Sequence, residues 1–140
     1  MTPIEIAERK SRLRAFAFLF LAMLTSAVMI LVMTRPQIDF TQGLWLGLLV
    51  GCALNLLPIK RMITPNSAVA QLLDDEGTRE NRRASCTVSF WAGVLSALFL
   101  GFASYFSPAI GAGEVGQLVA TAAIVSALIC FAVLELRAAR

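Results

Sequence analysis

The sequence contains no histidine and only three cysteines, Cys52, Cys86 and Cys130, which stand singly. Without histidine the chain lacks the Ser-His and Cys-His pairs that activate nucleophiles, and a zinc or haem site would need unusual ligands. The absence of a Cys-x-x-Cys motif excludes a dithiol oxidoreductase of the quinone-linked kind. We therefore expect no metal and no cofactor, and we interpret the three thiols as small buried side chains.

Charge is also scarce in this chain. Only 15% of the residues are charged and 58% are hydrophobic, with a mean hydropathy of +0.76, whereas a soluble domain usually carries about 25% charged residues. The charges are segregated, which leaves four stretches without any: residues 15–34, 40–59, 84–113 and 115–134. This composition indicates an integral membrane protein that contacts membrane lipid.

Each uncharged stretch is long enough to cross a bilayer, whose core of about 30 Å requires roughly 20 apolar residues in a helix. We therefore predict an all-α fold, an integral membrane bundle of four transmembrane helices that forms a single domain over residues 1–140. A buried soluble bundle is the alternative, but its helices would show polar faces and these do not. The predicted spans are residues 15–34, 43–59, 87–107 and 115–135, with a cytoplasmic loop at 60–86.

The distribution of lysine and arginine predicts the orientation. Four of these residues precede the first span, five lie in the loop of residues 60–86, two follow the fourth span, and the other two connections share Arg35 alone. Because basic residues concentrate on the cytoplasmic side, we expect a multi-pass protein of a bacterial inner (cytoplasmic) membrane with both termini in the cytoplasm. The net charge of +3 reflects this asymmetry, and no basic-aromatic surface indicates direct nucleic-acid binding.

Small residues recur at four-residue spacing in three of the four predicted spans, the second, the third and the fourth. Glycines at this spacing share one helix face and let two backbones approach closely in lipid. The predicted helix-packing residues are Gly43, Gly47, Gly51 and Asn55 in the second span and Gly93 and Gly101 in the third. The pattern supports packing within one chain as well as contact between two copies, and the second reading predicts a homodimer.

The longest polar stretch, LLDDEGTRENRRAS at residues 72–85, lies in the cytoplasmic loop. Thr78 is expected to cap a helix that continues without interruption into the third span. Paired aspartates at a membrane surface can hold magnesium, but such sites normally take carboxylates from facing helices, and the neighbouring arginines neutralise this patch. We therefore expect no catalytic residue and no enzyme activity. A solvated linker with local ion pairs is the plainest alternative.

Residues 75–82 read Asp-Glu-Gly-Thr-Arg-Glu-Asn-Arg, the pattern D-E-x-T-R-x-N-R. This motif resembles a signature of small four-helix bacterial inner-membrane proteins, some of which are similar in layout to the membrane partners of small cytoplasmic transcription regulators. The resemblance implies a partner-facing role and nothing catalytic. With the flanking charges included, the expected partner-binding residues are Asp75, Glu76, Thr78, Arg79, Asn81, Arg82 and Arg83.

The main expectation is a non-enzymatic, regulatory membrane protein that acts through protein contact, with the loop of residues 60–86 as the docking surface for a cytoplasmic protein partner. A small dimeric transporter or channel is the alternative, although coupled transport generally needs an ionisable residue within the spans and the four uncharged stretches contain none. A structural subunit of a larger complex is a third hypothesis. A shift of 72 residues also aligns similar charge-helix-proline-helix patterns, which suggests two related hairpins.

Overall fold

The computed structural model describes residues 3–34, 39–56, 76–106 and 111–138. These residues form four α-helices: α1 (Pro3–Thr34), α2 (Asp39–Leu56), α3 (Glu76–Phe106) and α4 (Ala112–Ala138). Each helix overlaps one uncharged stretch, as expected where a chain in an apolar environment must satisfy its backbone hydrogen bonds within the helix. The predicted all-α architecture with four helices is therefore confirmed for the described residues.

Three helices are long and apolar enough to cross a membrane, over Ser11–Thr34, Gly77–Phe106 and Ala112–Ala138. The apolar part of α2, Phe40–Leu56, is shorter and rises about 26 Å at 1.5 Å per residue, against a bilayer core of about 30 Å. The predicted second span continues to residue 59, outside the described ranges. Insertion into a bilayer and the orientation of the termini stay predictions.

α4 is the centre of the fold, because α1, α2 and α3 all pack against it. The Phe131 ring of α4 meets the Phe18 ring of α1 edge-on, with ring centroids 5.0 Å apart, which is a favoured geometry for aromatic pairs. Alanines beside these rings let the helices approach closely. The core consists of Ala15, Phe18, Ala22, Cys52, Leu56, Ala127, Leu128, Phe131 and Ala132.

α3 is attached along one side only. Ser89 Oγ donates a hydrogen bond to the Ala123 carbonyl of α4 at 2.8 Å, and a Cβ atom added at Gly93 would lie 3.5 Å from the Ala123 Cβ. Contacts of the described part of α3 with α1 and α2 are few. The opposite side exposes large apolar side chains: Val88, Phe90, Trp91, Leu95, Leu98, Phe99, Phe102, Tyr105 and Phe106. The arrangement is therefore open at α3, unlike a bundle in which every helix packs between two neighbours.

α3 begins at Glu76 and runs without interruption to Phe106. The predicted continuation of the polar segment into the third span is therefore confirmed, but the capping role predicted for Thr78 is wrong, because the helix begins two residues earlier. Cys86 on this helix is exposed, whereas Cys52 is buried and Cys130 is half-buried. The interpretation of Cys86 as a buried side chain is wrong, because its thiol is exposed on α3.

A hydrogen bond between two side chains joins α2 to α4. Trp45 Nε1 donates to Thr121 Oγ1 at 2.9 Å, and Thr121 Oγ1 in turn donates to the Gln117 carbonyl one turn earlier at 2.8 Å. Thr121 is buried, so this chain of hydrogen bonds lies within the helix packing. The indole of Trp45 thus supplies a polar link between α2 and α4.

We expect Trp45→Phe to lower the free energy of unfolding by about 1 kcal/mol, the scale of a hydrogen bond between membrane helices. The free energy is measured by SDS titration of the protein in detergent micelles, followed by circular dichroism. Trp91→Phe is the matched control, because Trp91 is exposed on α3. Equal losses in the two variants would contradict the contribution assigned to the Trp45 hydrogen bond.

Candidate interaction site at the polar ends of three helices

Four polar side chains from α1, α3 and α4 meet in what we term the charged cluster: Ser11, Arg14, Thr78 and Glu135. Arg14 and Glu135 form an ion pair through Arg14 Nη2 and Glu135 Oε1. Glu135 Oε2 accepts hydrogen bonds from Ser11 Oγ at 2.7 Å and from Arg14 Nε at 3.3 Å. Arg14 Nη2 also donates to Thr78 Oγ1 at 3.4 Å. One guanidinium therefore connects three helices.

Within the charged cluster, Glu135 is buried and Arg14 is partly exposed. The Glu135 side chain is 3% exposed and the Arg14 side chain is 29% exposed. The Arg14 guanidinium carbon lies 5.2 Å from the centroid of the Phe131 ring, which adds a cation–π attraction. A buried carboxylate is costly unless it is paired and hydrogen-bonded, and both oxygens of Glu135 have donors. The ion pair is therefore satisfied, while part of the guanidinium stays accessible to water.

The ion pair was absent from the residues predicted as functional. Neither Arg14 nor Glu135 was predicted as a site residue, yet both lie within the membrane-length segments Ser11–Thr34 and Ala112–Ala138. The statement that the spans hold no ionisable residue is therefore wrong for these segments, because pairing lets two opposite charges enter an apolar helix contact. One signal was present in the sequence: the predicted orientation already places both residues at the same side of the membrane.

Two of the predicted partner-binding residues, Arg79 and Arg83, are exposed, as is Glu80 beside them. We term Arg79, Glu80 and Arg83 the outward face. Side chains three and four positions apart lie on one side of a helix, so the two guanidinium groups are one turn apart on a continuous helix. The outward face is thus a small charged surface on a regular element rather than on an irregular loop.

The remaining predicted partner-binding residues lie elsewhere. Thr78, Asn81 and Arg82 are half-buried, and Thr78 accepts the hydrogen bond from Arg14 described above. Glu76 is the first residue of α3, and Asp75 lies outside the described residues. The structure therefore brings Arg79 and Arg83 together at the surface and turns their neighbours Thr78, Asn81 and Arg82 toward the other helices.

The predicted helix-packing residues also separate into two groups. In the described part of the chain, a Cβ atom added at four of the five predicted packing glycines would meet nothing within 4 Å: Gly43, Gly47, Gly51 and Gly101. Gly93 alone of the predicted set faces a neighbouring helix, at Ala123. Asn55 is exposed, and its Nδ2 donates to the Gly51 carbonyl at 2.8 Å, so its amide bonds within its own helix. The glycine series of α2 therefore lies on an open surface of the single chain.

Comparisons with protein-family models, with curated proteins and with solved structures found no match to this chain. Its function is therefore argued from geometry. Among the residues that the structure describes, no group of three or more His, Cys, Asp and Glu side chains lies close enough to hold a metal ion. The charged cluster and the outward face offer charge recognition and anchoring, and the guanidinium groups are suited to carboxylates.

Proposed function

We propose that this chain is a non-enzymatic, multi-pass protein of the bacterial inner membrane that regulates a cytoplasmic protein partner by contact. Both termini lie in the cytoplasm, and the docking surface is the outward face of α3. The observation that carries the proposal is the exposure of Arg79 and Arg83 on one side of a helix whose adjacent residue Thr78 is bonded to α1. The resemblance of residues 75–82 to the inner-membrane signature supports the same role.

The chemistry of the outward face favours an acidic partner. Two of its three side chains are arginines and one is a glutamate, so the surface carries a net positive charge. Arginine binds carboxylates in a two-pronged geometry, and complementary charge guides association and fixes the register of a complex. Because the side chains project from a continuous helix, little backbone ordering is required on binding. The expected partner surface presents at least two carboxylates about one helical turn apart.

Pairing of two copies in the membrane is part of the proposal. Gly43 and Gly47 are exposed, and neither would bring a Cβ atom within 4 Å of another described residue of the chain. Glycines four residues apart let two helices approach closely in lipid. The open glycine series of α2 therefore supports a contact between copies on a helix other than the one that carries the outward face.

We expect the double variant Arg79→Glu/Arg83→Glu to reduce the yield of the crosslinked partner adduct at least about tenfold. A photo-crosslinking amino acid placed at Glu80 in living cells reports binding, and mass spectrometry identifies the adduct. Charge reversal at two contacts places like charges against an acidic partner, which costs several kcal/mol. The native chain should yield one dominant adduct, and the double variant should not.

The matched control for this experiment is Arg9→Glu/Arg12→Glu, which makes the same charge change at two exposed positions of α1. Membrane fractionation verifies that both variants insert. Loss of the adduct in the control as well would assign binding to the general positive charge of this end of the protein. An adduct of undiminished yield in Arg79→Glu/Arg83→Glu would support the solvated-linker interpretation and count against docking.

The charged cluster favours a second candidate, ion-coupled transport. Coupled transporters use ionisable residues within their spans, and Glu135 is a buried carboxylate inside a membrane-length helix. Proteoliposomes that contain a pH-sensitive dye test this candidate under an imposed potential. A proton flux that disappears in Glu135→Gln would favour transport, and native protein without flux would leave the docking role as the stronger proposal.

A further inference from the structure

Arg14 makes two contacts of unequal strength, one with Glu135 and one with Thr78. Its guanidinium pairs with Glu135 through two nitrogen atoms, and Ser11 reinforces that carboxylate at 2.7 Å. Its hydrogen bond to Thr78 is 3.4 Å long, near the outer limit for a hydrogen bond. The contact between α1 and α4 is therefore the strong one, and the contact from Arg14 to α3 is the weaker one.

The first two turns of α3, Glu76–Arg83, contain no completely buried side chain among the described ones. The first completely buried side chain of α3 is Ser85, and the hydrogen bond from Ser89 to α4 follows one turn later. Before Ser85, the described side chains of α3 are half-buried or exposed. Segments without completely buried side chains open locally at low free energy, and the bond at Thr78 is a contact that joins these turns to α1.

We propose that Arg14 is a latch, which through Thr78 sets the position of the first two turns of α3 and hence the presentation of the outward face. This inference rests on the proposed docking function, since Arg79 and Glu80 immediately follow Thr78 in the chain. Thr78 and the outward face share the first two turns of α3, so docking and the bond from Arg14 to Thr78 are coupled through the position of these turns, and the coupling is reciprocal.

Amide hydrogen exchange tests the latch without any partner. The first four amides of a helix have no acceptor within the helix, so the informative ones are those of residues 80–84. Thr78→Val removes the acceptor of Arg14 but keeps the side-chain shape and the ion pair. We expect exchange of these amides to accelerate at least about threefold in Thr78→Val and at least about tenfold in Arg14→Gln. The protein is held in lipid nanodiscs throughout.

Thr87→Val is the control, because Thr87 is exposed on the same helix and its Oγ1 donates to the carbonyl of Arg83. Unchanged exchange of residues 80–84 in this control, with faster exchange in Thr78→Val, supports the latch. Equal exchange in Thr78→Val, Arg14→Gln and the native chain would overturn it. Acceleration that extends over the whole of α3 in Thr78→Val would overturn it too, since the effect would then be a general loss of stability.

The latch and the docking function can fail separately. If Thr78→Val leaves exchange unchanged while Arg79→Glu/Arg83→Glu loses the partner, the docking surface stands and the latch is wrong. If Thr78→Val accelerates exchange while crosslinking at the outward face yields no partner adduct, the contact from Arg14 to Thr78 positions α3 but the docking proposal is wrong. Amide exchange in the isolated protein decides the latch, and adduct formation in cells decides docking. Neither measurement depends on the other.

Discussion

Replacement of Glu135 by glutamine is expected to lower the free energy of unfolding by about 3 kcal/mol. The variant removes one charge of the ion pair and leaves the guanidinium of Arg14 without its counter-charge, which typically costs about 3–5 kcal/mol for a buried pair. The partial exposure of Arg14 keeps the loss near the lower end of that range. The measurement is SDS titration in detergent micelles, with the helical circular dichroism signal as the readout.

Glu114→Gln makes the same chemical change on the same helix and is the control. Glu114 is exposed at the start of α4, where its carboxylate accepts a hydrogen bond from the Gly111 amide at 3.2 Å. A carboxylate near a helix N-terminus is worth about 0.3–1 kcal/mol, so the control should lose no more than that. The exchanged pair Arg14→Glu/Glu135→Arg should be more stable than the sum of its single variants predicts. Strict additivity would show that the two charges do not interact.

The second large effect is expected at Phe131, where alanine should lower the free energy of unfolding by about 3–4 kcal/mol. Phe131 is 1% exposed in the centre of the fold, and truncation of a buried phenylalanine leaves a cavity that its neighbours only partly fill. The variant also removes the ring that contacts Phe18 and the guanidinium of Arg14. The same SDS titration measures the loss.

Two further variants test whether the loss of stability comes from the buried position of Phe131 rather than from the removal of a phenylalanine as such. Phe99→Ala removes the same side chain from an exposed position of α3 and should change the free energy of unfolding by less than about 0.5 kcal/mol. Phe131→Leu keeps most of the buried volume and should cost about 1–1.5 kcal/mol. A loss in Phe99→Ala as large as that in Phe131→Ala would mean that α4 is not the centre of the packed structure.

Most of the helical architecture could be predicted, because the four uncharged stretches are long and separated by charge. The predicted first and third spans end at residues 34 and 107, and α1 and α3 end at Thr34 and Phe106. The starts of the helices were less predictable. α1 begins at Pro3 and α3 at Glu76, well before the apolar segments. Hydropathy locates the apolar part of a helix, whereas the hydrogen-bonded helix continues through polar residues on either side.

Less of the site could be predicted, because its residues are distant in sequence. Helical spacing places Arg79 and Arg83 on one side and Thr78 and Arg82 on another, but it does not reveal which side faces α4. The ion pair joins residues 121 positions apart, and no local pattern specifies such a pairing. Only the antiparallel packing of α1 on α4 brings Arg14 and Glu135 to the same level.

The glycine spacing also predicts only part of the helix packing. A four-residue spacing of glycine identifies a helix face that permits close approach, but it does not identify the helix that approaches. Gly93 meets Ala123 of α4, whereas Gly43 and Gly47 meet no described residue of their own chain. Glycines at four-residue register thus serve an internal contact at Gly93 of α3 and an open surface in α2.

The central position of α4 has a consequence for biosynthesis. α4 follows the other three helices along the chain, so the ribosome completes it after α1, α2 and α3 have emerged. In a bilayer, helices can insert one by one before they associate. The other three helices would then lack the element on which they all pack until α4 has been synthesised.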